Sequence, residues 1–178
     1  MLFRSQTPST PHGTIGSPVG FVSGDRSGLV IKEMTVEEHV ALPAIARFAR
    51  AGFVSRRQQH KWVKRSLDTL SVIGTPDAPM TSLSGGNQQR ALMSRWVETE
   101  DVDVLVVDQP TVGVDIAGRA QLLGVLRELA KTRGVVVIAE PDELAVVADR
   151  VLCLRRGAIS TELAGTDVTE ERILSALA

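Results

Sequence analysis

With one cysteine, Cys153, in 178 residues, the chain can form no internal disulfide. Cys153 lies within the apolar run Val151-Leu152-Cys153-Leu154, where a small buried thiol is expected rather than a reactive one. His12, His39 and His60 are scattered without metal-ligand spacing, so no metal site of the protein's own is expected. The longest apolar runs, such as Val135 to Ala139, fall far short of the roughly 20 residues that span a bilayer. The start, Met1-Leu2-Phe3-Arg4-Ser5-Gln6, has no signal-peptide apolar core, so a cytoplasmic location with no direct membrane span is expected. Lys and Arg (20) nearly balance Asp and Glu (21), so the net charge of −1 provides no global field for nucleic acid or acidic lipid. A Gly-x-x-x-x-Gly-Lys-Ser/Thr loop is also missing, and no other Gly-Lys pair could replace it. That absence excludes a backbone nest and lysine holding phosphates in cis.

What is present suits a globular chain. At 43% hydrophobic, the chain can build one sizeable core, or most of one with an appended helical subdomain. Residues 1–19, with Pro8, Pro11, Pro18 and many Ser and Thr, are expected to be disordered. Thr35 with Glu38, and Ser55 with Gln58, have capping-box spacing and predict helices over about 36–50 and 56–71, the first interrupted or kinked at Pro43. From residue 83 the pattern reads helix, strand 103–108, helix 117–132, strand 134–139, helix 141–148, strand 150–155, strand 158–163 and helix 168–177. Such alternation predicts an α/β fold, a parallel sheet flanked by helices. The second helix carries Arg56, Arg57, His60, Lys61, Lys64 and Arg65 opposite Trp62, Val63, Leu67 and Leu70. A solvated amphipathic face is the plain reading; a protein contact and nucleic acid are the alternatives.

Two motifs carry chemistry. In Leu83-Ser84-Gly85-Gly86-Asn87-Gln88-Gln89, Ser84 sits where a helix would begin, so its hydroxyl can cap it while the glycines let bare N–H groups approach an anion. The helix dipole adds positive charge there, phosphate is the natural guest, and Gln88 to Glu98 can propagate the helix, with Ala91, Leu92, Trp96 and Val97 facing the core. An ordinary capped helix after a Gly-rich turn would use the same residues. Downstream, Val104-Leu105-Val106-Val107 reads as a strand buried on both faces, and Asp108 at its carboxyl end suits a hydrated Mg²⁺ bridging nucleotide phosphates. A strand-terminal Asp that caps the next turn is the plain alternative.

Together these motifs resemble the signature motif and Walker B strand of the ATP-binding-cassette (ABC) ATPases. The resemblance narrows to the second ATPase domain of the ribose- and galactose-type sugar importers, which carry two cassettes in one chain. Gly20-Phe21-Val22-Ser23-Gly24-Asp25-Arg26 is similar to that family's Val-Ser/Pro-Glu-Asp-Arg stretch, and Met34-Thr35-Val36-Glu37-Glu38 to the opening of its helical subdomain. Asn87 is characteristic of this branch, Pro110-Thr111-Val112-Gly113-Val114-Asp115 looks like the D-loop region, and Ala148-Asp149-Arg150-Val151 with the Arg156-Gly157 turn fits the closing strands. The resemblance implies a partial ABC ATPase domain over residues 20–178, with a helical subdomain at about 33–98 and a sheet-containing core at about 99–178. It implies ATP and Mg²⁺ as cofactors, with Ser84, Gly85, Gly86 and Asn87 binding nucleotide, Asp108 holding Mg²⁺ through water, and Asp115 in the D-loop. Implied partners are another ABC cassette and a membrane permease subunit, for which the basic second helix is a candidate contact. No nucleic acid is expected, since the long coiled coils and zinc modules of ABC-type DNA-repair ATPases are missing.

The departures are as informative. The resemblance places the chain's start downstream of the phosphate loop. At the position of the glutamate that activates water stands Gln109, whose amide cannot take a proton; the H-loop histidine position falls on Ala139, and the Glu of Val-Ser-Glu-Asp-Arg on Gly24. The chain alone is therefore expected not to hydrolyse ATP. Two readings follow. In one, the chain is the C-terminal portion of a sugar-import ATPase, peripheral to the inner face of the plasma membrane, donating its signature motif to ATP held by a partner cassette. In the other, it is a truncated or wrongly started, inactive gene product.

Overall fold

The computed structural model describes residues 19–25, 28–50, 52–99 and 102–178. In chain order the elements are β1 (Val19–Val22), α1 (Val36–Ala41), α2 (Ile45–Phe48), β2 (Ala49–Arg50), β3 (Phe53–Val54), α3 (Arg56–Thr69), α4 (Gly85–Ser94), β4 (Val104–Asp108), α5 (Ile116–Leu129), β5 (Gly134–Ile138), α6 (Pro141–Val147), β6 (Arg150–Arg155), β7 (Ala158–Ala164) and α7 (Glu170–Leu177). They fall into two compact units. A helical unit takes Gly24–Glu100 and Thr111–Leu122; a sheet unit takes the stretch ending at Ser23, Asp101–Pro110 and Leu123–Ala178. Residues 1–18 of the segment expected to be disordered lie outside the described residues.

In the helical unit, α1 starts with the expected capping box: Thr35 Oγ1 accepts from the Glu38 N–H (3.2 Å), and Glu38 Oε2 accepts from the Thr35 N–H (2.8 Å). The single helix expected over 36–50 is broken into α1, a 3-10 turn at Leu42–Ala44 and α2. Pro43 in that turn has no N–H to continue the ladder. The chain then forms the β2–β3 hairpin, which the sequence pattern did not reveal; Gly52 in its turn has φ +83°. At α3 the second expected capping box is absent, for Ser55 makes no side-chain cap bond. Helix α4 ends at Ser94, four residues before the expected end, leaving Trp96 and Val97 half-buried in the following turn. The helices close over a core that includes Val40, Phe48, Trp62, Val63, Leu67, Met80, Ala91 and Leu92. Phe48 and Trp62 meet edge to face, with ring centroids 5.6 Å apart, which ties α2 to α3.

In the sheet unit, β1, β4 and β5 form a parallel sheet in the order β1-β4-β5. Leu105 and Val107 are buried while Val104 and Val106 are half-buried, so the full burial expected on both faces of β4 holds on one. The last two strands depart from the parallel pattern: β6 and β7 pair antiparallel as a separate hairpin. Their two-residue connection explains it, because parallel neighbours need a crossover of about a dozen residues. Arg156 (φ +51°) and Gly157 (φ +80°) are both left-handed, as the tight hairpin turn requires. Cys153 is buried in β6 as a free thiol.

Candidate functional site

Ser84 caps α4 from an exposed position. Its Oγ accepts from the Asn87 backbone N–H (3.5 Å) and from Asn87 Nδ2 (3.1 Å), while Asn87 Oδ1 accepts from the Ile73 N–H (2.8 Å). Gln88 Nε2 donates to the Met80 and Leu83 carbonyls at 3.3 and 3.2 Å, anchoring the turn that leads into the helix. The side chains of Ser84, Asn87 and Gln88 thus hold the motif in place. Gly86 has an added reason to be glycine: a Cβ there would sit 3.1 Å from the Gly113 carbonyl oxygen. The start of α4 therefore lies directly against the segment that leads into Asp115.

A second tie fixes that segment. Arg90, buried on α4, donates through Nη2 to Asp115 Oδ2 (2.6 Å) and through Nη1 to the Ser71 carbonyl (3.4 Å). The other carboxylate oxygen of Asp115 accepts from the Gly118 N–H (2.9 Å), capping the start of α5. That backbone donor, and then the Arg90 charge, hold the Asp115 carboxyl below the usual carboxylate range. Gly118 makes room for the pair, since a Cβ there would lie 2.6 Å from Val114 Cγ1 and 2.8 Å from Arg90 Cζ. Gln121 Nε2 binds the Thr69 carbonyl (3.1 Å) and Ser71 Oγ (2.9 Å), joining α5 to the end of α3. Arg90, Gly118 and Gln121 were missed in the sequence. An isolated glycine in a helical pattern was the available signal.

The remaining site residues belong to the sheet unit. Asp108 is half-buried at the carboxyl end of β4, in register with Ile138 of β5, and Ala139 follows directly on β5. Between them stands Gln109, exposed, with φ +46° and its N–H donating to the Ile138 carbonyl (2.7 Å). A non-glycine residue in that conformation costs about 1–2 kcal/mol, a strain of the kind found where a backbone is held for function. Asp108, Gln109 and Ala139 thus gather at one edge, the end where open α/β sheets take ligands. Gln109 offers an amide there and Ala139 no polar group, so no proton acceptor stands at either position. Among the described residues no three His, Cys, Asp or Glu side chains gather as a metal cage. A lone carboxylate fits Mg²⁺ that keeps its waters and is shared with phosphates, and a serine hydroxyl at a helix start fits phosphate oxygens.

No family model matches the chain. It is 34% identical over 170 residues to the ribose import ATP-binding protein of Chelativorans sp. (strain BNC1), covering 93% of this chain and 33% of that protein. With the arabinose import ATP-binding protein of Paraburkholderia xenovorans (strain LB400) it is 35% identical over 152 residues, 82% of this chain and 29% of the relative. A solved ATP-binding cassette, dimeric in a post-hydrolysis state bound to ADP and Pi, superposes with TM-score 0.71 at 25% identity over 82% of this chain and 62% of that one. The chain thus spans about a third of the length of these sugar-import relatives. Along nearly its whole length the chain is thus similar to ABC sugar-import ATP-binding proteins, and its fold is that of an ATP-binding cassette.

Proposed function

We propose that the chain is the C-terminal part of the second ATPase domain of a sugar-import ATP-binding protein, and that it donates Ser84, Gly85, Gly86 and Asn87 to ATP held by another cassette. The observation that carries this reading is the start of α4: an exposed Ser84 at a dipole-positive helix end, braced by Asn87 and by the Gly113–Asp115 segment packed beside it. The dimer named for the solved neighbour supports a two-cassette arrangement. In this reading the helical subdomain covers about residues 33–98 and the sheet core about 99–178. Mg²⁺, arriving with the nucleotide, would supply a positive charge to the phosphates, and Asp108 would hold it through water. Asp115 belongs to the contact with the partner cassette, and a membrane permease subunit places the assembly at the inner face of the plasma membrane. Gln109 and Ala139 leave the chain without a base to activate water, so binding and assembly are its role.

Sedimentation with an intact ribose-importer cassette tests the proposal. ATP should drive association of the wild-type chain, and Ser84→Arg should abolish it by placing a long side chain against the γ-phosphate. Association independent of nucleotide and of residue 84 contradicts the shared site. The isolated chain should show no ATP turnover, before or after Gln109→Glu. It should bind ATP only at millimolar concentration, about 4 kcal/mol, because a serine and a few amides lack the cradle of a phosphate loop.

A further inference from the structure

The net charge of −1 conceals a strong segregation. Residues 39–67 contain seven of the 20 Lys and Arg and none of the 21 Asp and Glu. That stretch therefore carries +7, while the rest of the chain, with 13 basic and 21 acidic side chains, carries −8. All seven cations are exposed. On α3, Arg57, Lys61 and Lys64 lie at i, i+4 and i+7, one stripe opposite the buried Trp62, Val63 and Leu67. Two neighbouring groups are paired, His60 with Glu37 (2.6 Å) and Arg65 with Glu98 (3.1 Å). Among the described residues no ion pair reaches Arg50, Arg57, Lys61 or Lys64.

Local helix rules are broken in the same place. Arg56 and Arg57 occupy the first turn of α3, where the dipole disfavours cations, with no acidic residue in that turn and no side-chain cap. Immediately before it, the β2–β3 hairpin presents Phe53, 81% exposed, with Arg50 as its cross-strand partner, so the two share a face. Val54, also exposed, follows. An uncompensated cationic stripe beside a protruding apolar hairpin matches an anionic bilayer surface, where cations meet headgroups and an aromatic ring enters the acyl boundary.

We infer that the exposed face formed by Arg50, Phe53, Arg57, Lys61 and Lys64 binds anionic lipid headgroups directly. The long-range attraction is local to this face, since the rest of the chain is acidic and is repelled by the same surface. The exposed Phe53 beside these cations suits the acyl boundary of a bilayer, whereas duplex DNA keeps its bases stacked on one another and offers the ring no apolar medium.

Sedimentation of the full chain with vesicles of phosphatidylcholine alone, or mixed with phosphatidylglycerol, reads this directly. The chain should bind only the mixed vesicles, and binding should fade as salt rises. Each cation lost near the surface weakens partitioning about fivefold, so the triple variant Arg57→Gln, Lys61→Gln, Lys64→Gln should bind roughly a hundredfold less. Phe53→Ser should weaken what remains at high salt, and Arg155→Gln with Arg156→Gln, at the exposed β6–β7 turn, should change nothing. Circular dichroism verifies folding of each variant. If a variant fails to fold, the wild-type preference for mixed vesicles and its salt dependence still decide. Equal binding to neutral vesicles, an unchanged triple variant, or tighter binding to duplex DNA lost in the triple variant would each overturn the inference.

Discussion

The helical unit and the sheet unit each carry candidate site residues, built to different completeness. Around the start of α4 every element of a braced binding surface is present: a capping serine, an asparagine that holds it, a buried arginine tied to Asp115 and a glycine that admits that arginine. At the carboxyl ends of β4 and β5 the scaffold is equally well formed, in register to Asp108↔Ile138, yet Gln109 and Ala139 offer no proton acceptor. The scaffold of a reaction centre and its chemistry are therefore separable. The backbone at Gln109 is left-handed although its side chain is an amide that cannot take a proton.

If the bracing of Asp115 is real, crowding it should have the largest effect on stability. Gly118→Ala should destabilise the helical unit by about 1–3 kcal/mol in denaturant unfolding, because the new Cβ would displace Val114 or the buried Arg90. A neutral result would show that the arginine does not occupy this place in solution.

Next is the pH response of the helical unit. The buried His39 ring accepts from Arg95 at Nδ1 (2.7 Å) and lies 3.0 Å from the Ile31 carbonyl at Nε2, an arrangement that suits the neutral ring. Burial first, and then the Arg95 charge, lower its pKa, while the Ile31 carbonyl and Glu38 oppose the shift; burial also brings Arg95 down to about 10. With the folded pKa below the unfolded 6.5, the unfolded chain binds the extra proton. Stability from this group is therefore full above pH 6.5 and is lost as pH falls through the folded pKa. Unfolding of the helical unit should become easier over that range, and His39→Gln should flatten the dependence; a slope unaffected by the substitution would assign it to other groups.

The smallest effect sharpens the first. Gly124 lies on the same helix as Gly118, but with open space where its Cβ would be. Gly124→Ala should stabilise by about 0.5–1 kcal/mol, opposite in sign to Gly118→Ala. Equal signs would mean that helix propensity, rather than the Arg90 contact, governs both positions.

What the sequence disclosed was local chemistry. The capping box at Thr35–Glu38, the capped start of α4, the strand ending in Asp108 and the Arg156-Gly157 turn all depend on neighbours within a few residues. What it concealed needed the third dimension or a tertiary choice. Arg90 and Asp115 are 25 residues apart, so their ion pair leaves no spacing signature. Ser55 and Gln58 have the spacing of a box but form no cap bond, and Ala49 and Arg50, which also suit a helix, leave it after α2 for the β2–β3 hairpin. The parallel sheet was legible from alternation, but the separate pairing of β6 and β7 follows from the tight turn between them. The basic face was visible residue by residue and was hidden by summing charge over the whole chain.

The most direct measurement of a donated signature motif is complementation. An intact ribose-importer cassette, made unable to serve its own dimer by Ser→Arg in its own signature motif, is mixed with this chain and its ATP turnover is recorded. The account predicts that turnover returns, that Ser84→Arg in this chain abolishes it, and that Gln109→Ala leaves it intact, because the partner supplies the phosphate loop and the base. No restored turnover, or turnover that survives Ser84→Arg, would contradict it.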